Sequence, residues 1–138
     1  MTMRSNRTKE RLLQGKTVLG TWLEELRSPA ITHLLAAAGL DFLIVDMEHG
    51  AYSLETMADI VRTARLVGIT PIVRVPDLTP GQLGRILDAG AQGLMLPRVE
   101  TPDQVQDFVA YLKSPPAGRR SMASGMGNTD FRWVTTPE

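Results

Sequence analysis

A chain of 138 residues is long enough for one domain with a buried core. Lysine plus arginine equal aspartate plus glutamate at 15 each, so no net field favours nucleic acid or an anionic membrane. Cysteine is absent, which excludes disulfides and thiolate metal sites, and no apolar run approaches the ~20 residues of a membrane span. With a polar start that lacks an apolar signal core, the chain is expected to be soluble and cytoplasmic.

Residues 6–14 read as a short amphipathic helix whose strong apolar anchors are Leu12 and Leu13, and whose basic side (Arg4, Arg7, Lys9, Arg11, Lys16) faces water. Residues 17–22 are the first strand, with Glu24, Glu25 and Arg27 after it. Ser28-Pro29 then starts a helix, serine as cap and proline where no amide is needed. Ile31, Leu34, Leu35 and Ala38 would face inward, and Gly39 suits a left-handed stop. Phe42-Leu43-Ile44-Val45 is a strand apolar on both faces, as in a buried parallel sheet. It ends abruptly in Asp46, Glu48, His49 and Gly50.

Ser53 caps the next helix, with Glu55 in its first turn and Leu54, Met57, Val61 and Ala64 on its buried face. Gly68 precedes a strand over residues 71–75. Thr79-Pro80-Gly81-Gln82 has a capping-box pattern, and Leu83, Ile86 and Leu87 point inward before Gly90. A fourth strand covers residues 93–96. Thr101-Pro102-Asp103-Gln104 repeats the start signal for a helix buried through Val105, Phe108, Val109 and Leu112 and ended by Ser114-Pro115-Pro116. The seven methionines read as core filler.

Strand and helix thus alternate four times, and the helix starts recur every 22 to 26 residues. A complete (β/α)₈ barrel takes about 250 residues. The pattern therefore fits half a barrel, or an open doubly wound sheet, equally well. We treat residues 1–138 as a single domain with an irregular tail over residues 117–138, in which residues 131–134 dock. Gly125-Met126-Gly127 is not a dinucleotide fingerprint, since it lacks the third glycine and does not lead a strand into a capped helix.

In a parallel array the carboxyl ends of the strands share one face, so His49 and Arg74 should be neighbours. A near-neutral imidazole beside a guanidinium suits proton abstraction next to a carbonyl whose carboxylate the arginine holds. The plainer reading is that Arg74 pairs with Asp46 or Glu48. Asp88 is either a solvated helical carboxylate or an acid that reaches His49 and fixes its tautomer. Trp22 is a pocket wall or core, Arg98 and Glu100 follow the fourth strand, and His33 is a surface or half-buried residue.

Asp46-Met47-Glu48-His49-Gly50, residues 71–76 and residues 87–97, together with Gly20-Thr21-Trp22, resemble the HpcH/HpaI aldolase family over about residues 11–120. The resemblance implies an α/β fold of the (β/α)₈ TIM-barrel class, of which this chain covers the first four βα units as a partial barrel. It implies a class II pyruvate aldolase of aromatic or sugar acid catabolism, which cleaves a 4-hydroxy-2-oxo acid to pyruvate and an aldehyde. His49 would be the base, Asp88 the acid that raises its basicity, Arg74 the binder of the pyruvyl group, and Trp22 a pocket-lining residue. A divalent ion (Mg, Mn or Co) is implied, but the family's ligands for it lie beyond Glu138, so none is assigned here. The implied partners are a 2-oxo acid, an aldehyde and further copies of the chain in a homo-oligomer, a hexamer in the family; nucleic acid and membrane are not among them. Half a barrel should leave its first and fourth strands as open edges and expose the inner faces of its helices. Such a chain would be a partial piece, or one whose partner supplies the other half. A non-catalytic half barrel and a citryl- or malyl-CoA lyase are the alternatives.

Overall fold

The computed structural model describes residues 5–121 and 123–133, so Arg4 and Val134 lie outside the described residues. The elements are α1 (Arg7–Leu13), β1 (Gly20–Leu23), α2 (Ile31–Ala37), β2 (Phe42–Asp46), α3 (Leu54–Val67), β3 (Thr70–Arg74), α4 (Pro80–Ala89), β4 (Gly93–Met95) and α5 (Pro102–Leu112), followed by a 3₁₀ turn at Gly127–Thr129. All strand pairs are parallel, and the order across the sheet is β1-β2-β3-β4. That order decides between the two architectures. A doubly wound sheet reverses its order at a switch point, whereas a barrel adds each strand beside the last. The chain is four consecutive βα units of a barrel.

The sheet's two faces differ in what covers them. Leu23, Leu43, Val45 and Val73 form one core cluster with Met57, Ile60, Val61 and Ala64 of α3 and Leu83 and Ile86 of α4. Register places Trp22, Ile44, Ile72 and Gly93 in one row across the sheet, and Asp46, Arg74 and Met95 in the row above. Side chains alternate along a strand, so these rows share the face away from the Leu43–Val45 side. Here the expected exposure needs correction: the inner sides of α3 and α4 are covered by their own strands. What lies partly open is the concave face of the sheet, where Trp22 is 42 % and Met95 37 % exposed. Among the described residues β1 and β4 pair on one side only.

Local signals account for most helix ends. Ser53 accepts a hydrogen bond from the Thr56 amide, and Thr101 with Gln104 forms a full capping box. Gly68 and Gly90 take left-handed conformations at the ends of α3 and α4. Thr79 does not cap with its side chain; the turn is held instead by Asp77, whose carboxylate accepts from the Thr79 amide at 2.9 Å. Ser28 and Pro29 form a turn ahead of α2, and the helix proper begins at Ile31.

Several expected apolar contacts are not made. Leu12 and Leu13 are exposed. α1 is fastened by polar groups, since the Thr8 hydroxyl lies 2.8 Å from that of Thr70 and donates to the Asp41 carbonyl, while Asn6 donates to the Gln92 carbonyl. Leu34 of α2 and Val105 and Val109 of α5 are also exposed; among the described helices α2 packs chiefly on α3, and α5 on α4. Of the methionines, Met57 is wholly buried, whereas Met95 and Met126 are exposed. Met57→Ala should therefore open a cavity under α3 and cost about 2–5 kcal/mol, measured by urea unfolding.

After α5 the chain crosses back over the ends of α3 and α4. Buried Arg65 donates to the Gly127 carbonyl and lies 3.0 Å from Asp130. A Cβ at Gly127 would collide with the Ala89 carbonyl, so glycine permits this close approach.

Candidate functional site

β2 delivers Asp46 to the rim with no exposed surface, and Arg74 is its register partner on β3. Asp46 Oδ1 accepts from Arg74 Nε at 2.9 Å, while Oδ2 accepts from Nη2. The same Oδ1 accepts from the backbone amides of Glu48 and His49 at 2.9 and 3.2 Å. One carboxylate thus fixes the guanidinium and folds the turn that carries the imidazole. Gly50 completes the turn, because a Cβ there would strike the carbonyl oxygens of Asp46 and Glu24.

Glu48 is the second hub. Its side chain is largely buried; Oε2 lies 3.1 Å from Arg74 Nη1 and 3.8 Å from His49 Nε2, and Oε1 lies 3.1 Å from Arg98 Nε. The Arg74 guanidinium also sits over the Trp22 ring at 4.7 Å. Arg74 is therefore held on both edges by carboxylates and on one face by an indole, a planar arrangement that lysine cannot reproduce. His49 projects from this cluster with its side chain 70 % exposed.

The Asp46 carboxyl is held below the usual carboxylate range, chiefly by the Arg74 hydrogen bonds, against the opposing pull of burial and with help from the two backbone amides. Asp46 in turn pushes the Arg74 guanidinium higher, keeping it charged. A depressed folded-state pKa stabilises the fold fully above the unfolded value of about 3.9 and is lost as pH falls through the folded one. Urea melts should show the wild type losing stability below about pH 4 more steeply than Asp46→Asn. Equal slopes would mean that the pair contributes nothing.

The structure brings His49 and Arg74 together at Glu48 and sets Trp22 against the Arg74 guanidinium, and both halves of the plainer reading of Arg74 hold, since it pairs with Asp46 and with Glu48. The expected contact between His49 and Asp88 is not made within the chain. α4 starts beside the carboxyl end of β3 and returns about 15 Å to the amino end of β4, carrying Asp88 to the opposite end of the sheet from His49. There Asp88 accepts from Arg120 and, at 3.4 Å, from Asn128. Sequence reasoning did not find the link between Arg98 and Glu48. Its one signal was the position of Arg98 just past the fourth strand.

No group of three histidine, aspartate or glutamate side chains suited to hold a metal ion occurs among the described residues. Asp46 and Glu48, the carboxylates nearest the site, already face guanidinium groups. These residues do not fit a resident divalent ion. Nor, among the described residues, is any helix long and apolar enough to cross a membrane.

Four barrel units thus carry a guanidinium clamped between two carboxylates at the strands' carboxyl ends, where barrels of this class place their chemistry. A sequence profile of the HpcH/HpaI aldolase/citrate lyase family matches residues 19–132, and the chain belongs to that family. It is 39 % identical to the 4-hydroxy-2-oxovalerate aldolase of Novosphingobium aromaticivorans over 96 % of this chain and 49 % of that protein. It is 34 % identical to the 4-hydroxy-2-oxo-heptane-1,7-dioate aldolase of Salmonella typhimurium, covering 96 % and 50 %. The solved HpcH/HpaI aldolase of Desulfitobacterium hafniense superposes with a TM-score of 0.88 at 36 % identity, covering 97 % of this chain and 50 % of that one. The chain spans about half the length of the relatives it matches.

Proposed function

We propose that the chain carries the oxo-acid-binding part of a pyruvate aldolase, which reversibly cleaves a 4-hydroxy-2-oxo acid to pyruvate and an aldehyde. The observation that carries this reading is the immobilised Arg74, whose edges are fixed by Asp46 and Glu48 while further N–H groups remain to orient the substrate's carboxylate and 2-oxo group. In the cleavage direction His49 accepts the proton of the 4-hydroxyl. The C3–C4 bond then breaks, its electron pair forms the pyruvate enolate, and the former hydroxyl carbon leaves as the aldehyde carbonyl. Arg74 offsets the charge on the enolate oxygen, and a proton delivered to C3 completes pyruvate. Within this chain Asp88 accepts from Arg120 and Asn128, so its role of raising the basicity of His49 would need another copy of the chain to bring the two together.

The family's divalent ion supplies Lewis-acid chemistry when bound, and we place its ligands outside the described residues, on strands that would follow β4. Two guanidinium groups against two carboxylates leave the local charge balanced, so Arg74 alone gives an anion only weak attraction. The 138-residue chain by itself should then show little turnover. In keeping with the family, we assign it to a cytoplasmic homo-oligomer acting on small molecules.

A second reading, a non-catalytic half barrel used in assembly, is favoured by the absence of a metal-holding group among the described residues. Calorimetric titration with manganese and pyruvate separates the two. Metal-dependent pyruvate binding by the chain removes the second reading. If pyruvate does not bind even when the chain is extended to the length of its relatives, the first fails.

A further inference from the structure

The loops after β3 and β4 line an open cleft of about 300 Å³ that the chemistry at Arg74 does not occupy. Leu78 and Leu96 contribute apolar wall, and Asp77, Arg98, Glu100 and Gln104 contribute polar groups. The cleft adjoins the oxo-acid site through a single carboxylate, since Glu48 contacts Arg98 with one oxygen and Arg74 with the other. The Arg98 side chain is mostly exposed; its Nη2 donates to the Pro76 carbonyl at 2.8 Å, and its backbone lies in the left-handed region at φ 51°.

Charge decides what such a space accepts. The Arg98 guanidinium already faces Glu48. The side-chain oxygen of Gln104 is occupied by the amides of Glu100 and Thr101, at 2.7 and 3.1 Å. One oxygen of Asp77 serves the Thr79 amide, and Asp77 and Glu100 are the two carboxylates among the lining residues. The lining is therefore rich in acceptors and carries two negative charges against one positive charge that is already paired. A carboxylate entering it meets like charge. A hydroxyl can donate to Asp77 or Glu100 while its carbon skeleton covers Leu78 and Leu96.

We infer that this cleft is the subsite for the tail of the acceptor aldehyde, and that it selects a neutral hydroxyaldehyde over an aldehyde ending in a carboxylate. The inference rests on the oxo-acid role proposed for Arg74. It is tested by titrating the ¹⁵N-labelled chain with D-glyceraldehyde and with succinic semialdehyde and following the backbone amides by NMR. Glyceraldehyde should shift the signals of Asp77, Leu78, Leu96 and Arg98 and bind at least about tenfold more tightly than the semialdehyde. The double variant Asp77→Asn, Glu100→Gln should bring that ratio towards one; both amides keep an acceptor, so the Asp77 turn survives. Equal or tighter binding of the semialdehyde overturns the inference. So does a ratio that the double variant leaves in place, or silence at these amides with both aldehydes. Pyruvate titrated in parallel into the chain extended to the length of its relatives reports on Asp46, Glu48 and Arg74, so failure of the oxo-acid reading is seen separately.

Discussion

Arg74→Lys is expected to lower pyruvate release from a 4-hydroxy-2-oxo acid by at least about a hundredfold, in a version of the chain extended to the length of its relatives. Lysine keeps the charge but loses the fork. It cannot meet both oxygens of Asp46, reach Glu48 and lie over Trp22 at once. Asp46 has no exposed surface, so the loss is felt in the fold as well as in the chemistry. The melting temperature should fall for Arg74→Lys and fall further for Arg74→Ala, which leaves the carboxylate without its cation. Steady-state kinetics and thermal melts on the same preparations check both parts, and a lysine variant with wild-type turnover would refute the role given to the guanidinium.

His49→Ala should behave in the opposite way with respect to the fold. Its imidazole is mostly exposed and, among the described residues, its one charged contact is the 3.8 Å approach to Glu48, so the variant should melt with the wild type. Its turnover should nevertheless fall by about 10²- to 10⁴-fold, the usual contribution of a positioned general base. The Asp46 turn is built by the backbone amide of His49 and not by its ring, so the substitution leaves the turn standing. Retained pyruvate release would remove the base assignment while leaving the Arg74 site intact.

The two expectations show why a short run of residues revealed so much of this molecule. Residues 42–46 announce a strand buried on both faces, and polar residues at its carboxyl end mark the rim, because a barrel strand has core on one side and lumen on the other. Ser53, Thr101, Gly68 and Gly90 are equally legible, since each acts through its own backbone neighbours. Contacts between distant residues were harder to read. α1 docks through Thr8 and Asn6, and nothing in an amphipathic pattern marks a buried threonine as an anchor.

Asp88 shows a different limit. A motif aligns positions along a chain but does not state the distance between them. A carboxylate one residue before the end of a helix lies a full helix length from a histidine past a strand's carboxyl end. Likewise, the exposure of Val105 and Val109 follows from α5 lying at the rim of the described units and not from any weakness in its apolar period.

Hydrogen–deuterium exchange at the pyruvate methyl group, followed by NMR in heavy water, isolates enolate formation from the choice of aldehyde. It therefore tests most directly whether the clamped guanidinium on β3 is an oxo-acid site. With the chain continued to the length of its relatives, exchange should be catalysed by the wild type and lost in Arg74→Ala. Undiminished exchange in that variant would contradict the account.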